Sequence, residues 1–448
     1  MAGADVRRFS RDQRGAVTTY ITGIMYGALH VLASIFLHPA LIISLFVSRL
    51  TNSYTTIGLV VGVGTVAWYL PQWTIGTLLS GRRRILPWAV SAGIVRAAAL
   101  ILLAYVAYRG DRLSDAQLLR SFFILYVAYS LSAGLSAALM EGILLRGIPD
   151  NRRSRFFRQR TFWAGISALA ASLVIRRIFD SGFNFPRDFT LLFAAAATAL
   201  SAATFFSARL HEPARIAPTA TPLKRLAQEI PAVFVAPDVR RFLVFRWTLA
   251  LAALGDPFYI IYAIRVLDIP TTMVGLYVLI FVGARLLSVP LWNRITERQG
   301  HRAALQYASL LRLLTPLIAI LLPFLLDTSL YQERINAPMA ASYLFGLVFA
   351  VSGIAMAGLD AGGSGYLNEI ASPQVRASAV NVTNVGLAIA ALSPVLGGYL
   401  IGRFDFERAF LAAGLAAFVS VLLGGALRDS HARIKRPTTN WRLGRSRL

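Results

Sequence analysis

Apolar positions along the chain gather into twelve blocks separated by short polar stretches. The blocks run over residues 17–46, 55–80, 86–108, 121–145, 161–175, 189–207, 242–264, 271–292, 303–326, 339–361, 379–401 and 409–426. A bilayer core about 30 Å thick needs roughly 20 apolar residues per helical crossing. Inside lipid every backbone polar group must be satisfied within its own segment, so such blocks are predicted to be helices. They are numbered here as spans 1 to 12. Span 1 is too long, and too closely followed by span 2, to read as a cleaved signal peptide. Span 5 is the weakest, with 15 uninterrupted residues between Arg160 and Arg176.

Composition narrows the picture. Of 448 residues 56% are hydrophobic, and the mean hydropathy of +0.60 excludes a disordered chain and argues against one soluble domain. The absence of cysteine excludes disulfides and thiolate metal sites. A net charge of +24 would alone suggest nucleic acid, but its placement says otherwise. With twelve crossings, 30 of the 45 basic residues fall on the side of the two termini and 11 on the opposite side. The remaining four, Arg96, Arg246, Arg285 and Arg312, lie within spans. Basic residues mark the cytoplasmic face, so both termini are predicted inside and no nucleic-acid partner is needed. Omitting span 5 would invert every later segment, including the basic tail.

The longest internal loop, 208–241, carries Pro213, Pro218 and Pro222 and an amphipathic run over 223–234. The expected organisation is a basic N-terminus (1–16), a six-helix bundle (17–207), the central loop (208–241), a second six-helix bundle (242–426) and a basic tail (427–448). The halves look duplicated. Thr55, Thr56 and Gly58 open span 2 as Thr271, Thr272 and Gly275 open span 8, an offset of 217 between the glycines. Arg96 and Arg312 fall within one residue of equivalence, and Pro149-x-x-Arg152 and Pro373-x-x-Arg376 each lead into the following span.

In these features the sequence resembles the major facilitator superfamily over essentially its whole length. That family's loop between spans 2 and 3, echoed between 8 and 9, reads Gly-x-x-x-Asp-Arg/Lys-x-Gly-Arg-Arg/Lys. The second copy here is Asn293-x-x-x-Glu297-Arg298-x-Gly300-His301-Arg302. The first, Gly76-x-x-x-Ser80-Gly81-Arg82-Arg83-Arg84, keeps the glycine and the arginines but has serine in the acid's place. The resemblance implies an all-α membrane protein of twelve helices in two bundles, rocking around a central cavity. It makes Gly76, Arg82, Arg84, Glu297, Arg298, Gly300 and Arg302 candidates for a cytoplasmic gating loop, where charge-assisted hydrogen bonds form in one state and break in the other. Plain positive-inside anchoring is the simpler reading of both loops. The family's drug-antiport patterns are missing from spans 4 and 5, so drug/proton antiport is not supported. The relative of one of them in span 11, Ser393-Pro394-x-x-Gly397-Gly398, is common across the superfamily.

The same architecture places spans 1, 4, 7 and 10 around the cavity. In span 1, Tyr26 and His30 are four apart on one helical face. His30 lies about 20 Å in from residue 17 at 1.5 Å per residue, where it would bind a proton or substrate, or be satisfied by a neighbouring helix. His38, beside Pro39, reads as interfacial. Span 7 carries Gly255-Asp256-Pro257, then Tyr259 and Tyr262. Pro257 removes a backbone donor and is expected to free the Ala253 carbonyl. A mid-membrane carboxylate is costly unless paired, and desolvation favours its protonated form, as a coupling site requires. Arg285 is its expected partner, Arg246 is expected to snorkel, and Arg96 and Arg312 to pair within a bundle or reach for headgroups. Tyr126, Ser130 and Tyr343 complete the candidate substrate or ion contacts, with close helix packing by small residues the alternative for spans 4 and 10.

No phosphate loop, zinc motif or catalytic triad is present, so neither ATP-driven transport nor an enzyme is supported, and no cofactor or metal is expected. The leading expectation is a monomeric, multi-pass transporter of the cytoplasmic (inner) membrane. It would move a small molecule by alternating access through an aromatic, sparsely charged cavity. An ion gradient, with protons the candidate, or the substrate's own gradient would drive it. The alternative is a transport-inactive relative acting as a sensor or assembly partner.

Overall fold

The computed structural model describes residues 2–78, 82, 84–212, 230, 231, 233–326, 328 and 339–429. Among these there are twelve helical segments long and apolar enough to cross a membrane, and no strand. They are Val17–Leu50, Tyr54–Gln72, Leu86–Tyr108, Asp115–Gly147, Asp150–Asp180, Arg187–Ala208, Pro237–Arg265, Met273–Gln299, His301–Leu326, Ala340–Ile370, Arg376–Arg403 and Phe406–Gly425. Each contains or overlaps one predicted span. Span 5 is far longer than its apolar block, because the helix continues back through the arginine-rich stretch to Asp150. Most of the central loop, Ser80 and the tail beyond Asp429 lie outside the described residues.

Three spans are broken, each at a proline. Span 1 passes through a wide turn over Pro39–Ile43 before resuming. Span 7 tightens into a 3-10 turn, Ala252–Gly255, just before Pro257. Span 11 stops at Ala390 and restarts at Ser393, with Pro394 in its first turn. Proline lacks the N–H of the i→i−4 ladder and its ring crowds the preceding turn, so a break is the least costly response. Pro71, Pro290, Pro316 and Pro323 instead sit within continuous helices.

Spans 1–6 pack into one half and spans 7–12 into the other. Lipid is as apolar as the side chains, so cohesion comes from shape-fitted packing. In the first half Phe46 meets Phe122, Phe189 and Phe193 with ring centroids 4.7–5.3 Å apart. In the second, Tyr277 stacks on Phe349, and Tyr262 packs between Phe406 and Phe410.

The halves meet through spans 2 and 11 and through spans 5 and 8, the two seams that a two-fold repeat requires to be equivalent. Gly58 and Gly275, the glycines that align in the repeat, occupy matching places in them. A Cβ on Gly58 would lie 2.0 Å from the Pro394 carbonyl oxygen, and one on Gly275 2.2 Å from the Arg176 Cα. Both positions are at the end of the bundle away from the termini, called here the far end. That end is sealed further by Arg265, which donates to the Ser48 and Thr51 carbonyls of the opposite half. Arg265 also lies over the Tyr54 ring, which packs edge-on against Phe258 and Phe406.

Candidate functional site

Between the halves lies a cavity of about 390 Å³, within the range of small-molecule sites. It reaches from the helix breaks at mid-depth toward the terminus-side ends of the spans. His38, Val61, Thr65 and Tyr69 come from the first half; Arg246, Asp256, Arg312 and Asp360 are the charged lining from the second. Spans 1, 7 and 10 contribute as the resemblance implied, but spans 2, 9 and 11 contribute as well and span 4 does not. Nor is the cavity sparsely charged: two carboxylates and two guanidinium groups face it, and Arg285 is bonded to one of those carboxylates.

Asp256 sits in the wall at the span 7 break. Its partner is Arg312 of span 9, not Arg285; the guanidinium donates to the carboxylate and the two form an ion pair. The Arg312 side chain is 5% exposed against 30% for Asp256, so the arginine depends on the pair and the aspartate keeps access to the cavity. The same guanidinium donates to the Ala252 carbonyl at 3.3 Å. The freed carbonyl is thus one residue earlier than expected, because the 3-10 turn lets the Asp256 N–H bond Ala253. Arg312 therefore lies inside its bundle and does not reach for headgroups. Arg285 donates to Asp360 at 2.6 Å. Arg246 faces the cavity and does not snorkel out of it.

His38 corrects a further expectation. It lines the cavity at the span 1 break, packed edge-on to Phe281 at 5.0 Å, and its Nδ1 is buried without a partner. A signal for it was present: His38-Pro39 and Asp256-Pro257 are 218 residues apart, one off the repeat offset. Each half thus breaks its first helix at a titratable residue followed by proline. Tyr69 and Asp360 were also missed. Asp360 falls one residue inside the predicted end of span 10, which hid it among headgroup-depth residues.

The other candidates lie elsewhere. His30 accepts at Nδ1 from the Arg96 guanidinium at 2.9 Å; arginine has no lone pair to offer, so Nδ1 carries no proton there. Tyr26 stacks on His30, and Tyr129 accepts from Arg96 at 2.9 Å with its ring beneath the same cation. Arg96 is 2% exposed, which removes it from the headgroups. Tyr126 is buried between Phe122 and Tyr129 with its ring edge against Gly64, and Ser130 is buried beside it. Tyr259 is buried against Phe410. Tyr343 is 57% exposed and outside the cavity lining.

In the loop between spans 8 and 9, Gly300 has φ +88°, a conformation that costs side-chain-bearing residues energy. Arg302 donates to the Gly425 carbonyl at 3.0 Å, tying the loop to the end of span 12 in the same half; Glu297 and Arg298 are exposed. In the first loop Arg82 and Arg84 are exposed, and Gly76 lies in the last turns of the span 2 helix. Here an acid arrives from a distance. Buried Glu212, just after span 6, accepts from the Ile85 and Leu86 N–H groups at 2.8–3.0 Å. It satisfies donors that a helix start leaves open.

Residues 249–447 match the family described as the Major Facilitator Superfamily. No curated protein matches the chain in sequence. Among solved structures, a mutant of the nucleoside transporter NupG is similar with a TM-score of 0.69 at 14% identity, covering 92% of this chain and 100% of its own. A bacterial homologue of the iron transporter ferroportin, in its inward-facing state, gives 0.67 at 13% identity over 93% and 98%. A D-xylose–proton symporter gives 0.64 at 14% over 93% and 97%.

Proposed function

This chain belongs to the major facilitator superfamily, and from that premise we propose that it is a proton-coupled secondary transporter of a small polar molecule. The observation that carries the reading is the Asp256–Arg312 pair in the wall of a cavity built by both halves and sealed at one end. A carboxylate bonded to a buried guanidinium and open to the cavity is a site where a proton competes with an ion pair. Protonation frees the donors of Arg312 that Asp256 held, while the Ala252 carbonyl keeps the guanidinium seated; deprotonation takes them back. Substrate and proton are thereby linked through one arginine, the reciprocal coupling that gradient-driven accumulation needs.

The basic loops support a cytoplasmic location for both termini. On that orientation the far end faces outward, and the conformation here is open toward the cytoplasm, in a multi-pass protein of the cytoplasmic membrane. Opening the far-end seams and closing the terminus-side loops would complete alternating access. Arg302, bonded within its own half in this conformation, is among the groups free to change partner when that side closes.

The test is uptake into proteoliposomes under an imposed pH gradient, with nucleosides and pentoses as first probes because structurally similar proteins are named as transporters of a nucleoside and of D-xylose. Wild-type protein is expected to accumulate its substrate and to lose accumulation with a protonophore. Asp256→Asn is expected to abolish accumulation while substrate exchange without a gradient persists. Accumulation unchanged in Asp256→Asn removes Asp256 from coupling. Ligand binding without flux for any probe favours the sensor reading instead.

A further inference from the structure

Three guanidinium groups stand in or beside the cavity, and their bonding differs. Arg312 is held by Asp256 and Arg285 by Asp360. Arg246, on span 7 about nine residues in from Pro237, makes no hydrogen bond or ion pair with any described residue. Its electrostatic neighbours are Tyr69, from the opposite half, and Asp360, whose carboxylate Arg285 already binds at 2.6 Å. Gly363 is its neighbour on span 10: a Cβ there would lie 3.9 Å from the Arg246 guanidinium carbon, in ordinary van der Waals contact. An arginine at this depth with no directly bonded counter-ion is costly, and its planar fork of donors matches the two oxygens of a carboxylate.

We infer that Arg246 is the anchor for a carboxylate, and that the transported molecule is a small organic monoanion with an uncharged body. This rests on the reading of the chain as a transporter and specifies what it carries. The Tyr69 hydroxyl offers a second donor from the other half, so the bound carboxylate would join the halves. Val61, Leu249, Met356, Leu359 and Leu387 receive the rest of the molecule. Charge sets the valence. Arg246, Arg285 and Arg312 against Asp256 and Asp360 leave one positive charge in the empty cavity. A monoanion arriving with one proton on Asp256 leaves the same charge, so the loaded and empty cavities differ by no net charge.

The test uses full-length protein in detergent and matched probes, sodium benzoate against benzamide and sodium lactate against lactamide, read by thermal unfolding and by titration. At least one carboxylate is expected to bind wild-type protein tenfold or more tightly than its amide. Arg246→Gln is expected to abolish that preference and, without ligand, to leave the unfolding midpoint equal or higher, since it removes an unpaired cation. Gly363→Val, which keeps every charge but fills the space beside the guanidinium, is expected to weaken carboxylate binding at least fivefold. Equal binding of acid and amide, no binding of any carboxylate, or an intact preference in Arg246→Gln or Gly363→Val overturns the inference. Carboxylate binding without flux would leave Arg246 as a carboxylate anchor and count against transport; flux of a neutral substrate with no carboxylate preference would do the reverse.

Discussion

Replacing Gly58 by alanine should open the far end without changing any charged or hydrogen-bonding group of the cavity. The new Cβ would lie 2.0 Å from the Pro394 carbonyl oxygen, whereas carbon–oxygen contacts settle near 3.3 Å. Spans 2 and 11 must therefore part by about 1.3 Å where the contact is backbone that cannot rotate away. Overpacking of this kind costs about 1–3 kcal/mol, and it burdens only the conformation in which the far end is sealed. The conformational equilibrium should shift by about 5- to 150-fold toward a far-end-open state. The chain contains no cysteine, so a single Thr65→Cys change on the cavity wall gives a specific reporter in an otherwise silent background. Its labelling rate by a membrane-impermeant maleimide, applied from the side opposite the termini, should rise by that factor. Gly275→Ala should act similarly through Arg176. Gly283→Ala, where a Cβ meets nothing within 4 Å, should change nothing. Equal labelling rates in folded Gly58→Ala, Gly283→Ala and parent proteins would refute the idea that this seam gates the far end.

Asp256→Asn and Arg312→Gln should each lower stability by about 3–5 kcal/mol, since each strands half of a buried pair, while the double variant recovers most of the loss; a coupling energy near zero in that cycle, measured by denaturation in detergent, would show that the pair is not a stabilising unit. Glu212→Ala should cost about 1–2 kcal/mol by uncapping span 3, with faster amide exchange confined to residues 85–88; protection unchanged at Ile85 and Leu86 would contradict the capping role. Tyr343→Ala should leave flux unaltered in proteoliposomes, because its ring lies outside the cavity, whereas Tyr69→Phe should reduce apparent substrate affinity severalfold. A large flux defect in Tyr343→Ala would mean the substrate path runs elsewhere.

The spans were legible because bilayer physics permits so few solutions: an apolar block of the right length has little choice but to be a helix. Asp256 was legible for a related reason, a carboxylate beside a proline in an apolar run being costly enough to stand out. Its partner was not. Arg285 and Arg312 are both cations within spans, and choosing between them depends on how spans 8 and 9 are rotated about their axes, which composition and spacing leave open. Tyr126 and Tyr343 were singled out by membership of spans 4 and 10 alone, and helix rotation placed one in a bundle core and the other outside the lining. His38 shows the reverse error: its distance from the chain start suggested an interface, while the repeat offset linking it to Asp256 held better information. Glu212 shows what no local pattern could reveal, since the N–H groups it satisfies are more than a hundred residues earlier in the chain.

Arg312 holds the span 7 break at two points, the Asp256 carboxylate and the Ala252 carbonyl. Only the first can take up a proton. The arginine is therefore less a bolt that slides free than the pin of a joint: neutralising Asp256 loosens one strap, while the backbone strap keeps the guanidinium seated where the two rods of span 7 meet. Movement of the inner rod against the outer one would then turn about a fixed charge. A protein built this way can change the angle of a helix at mid-membrane without ever releasing a bare cation into lipid.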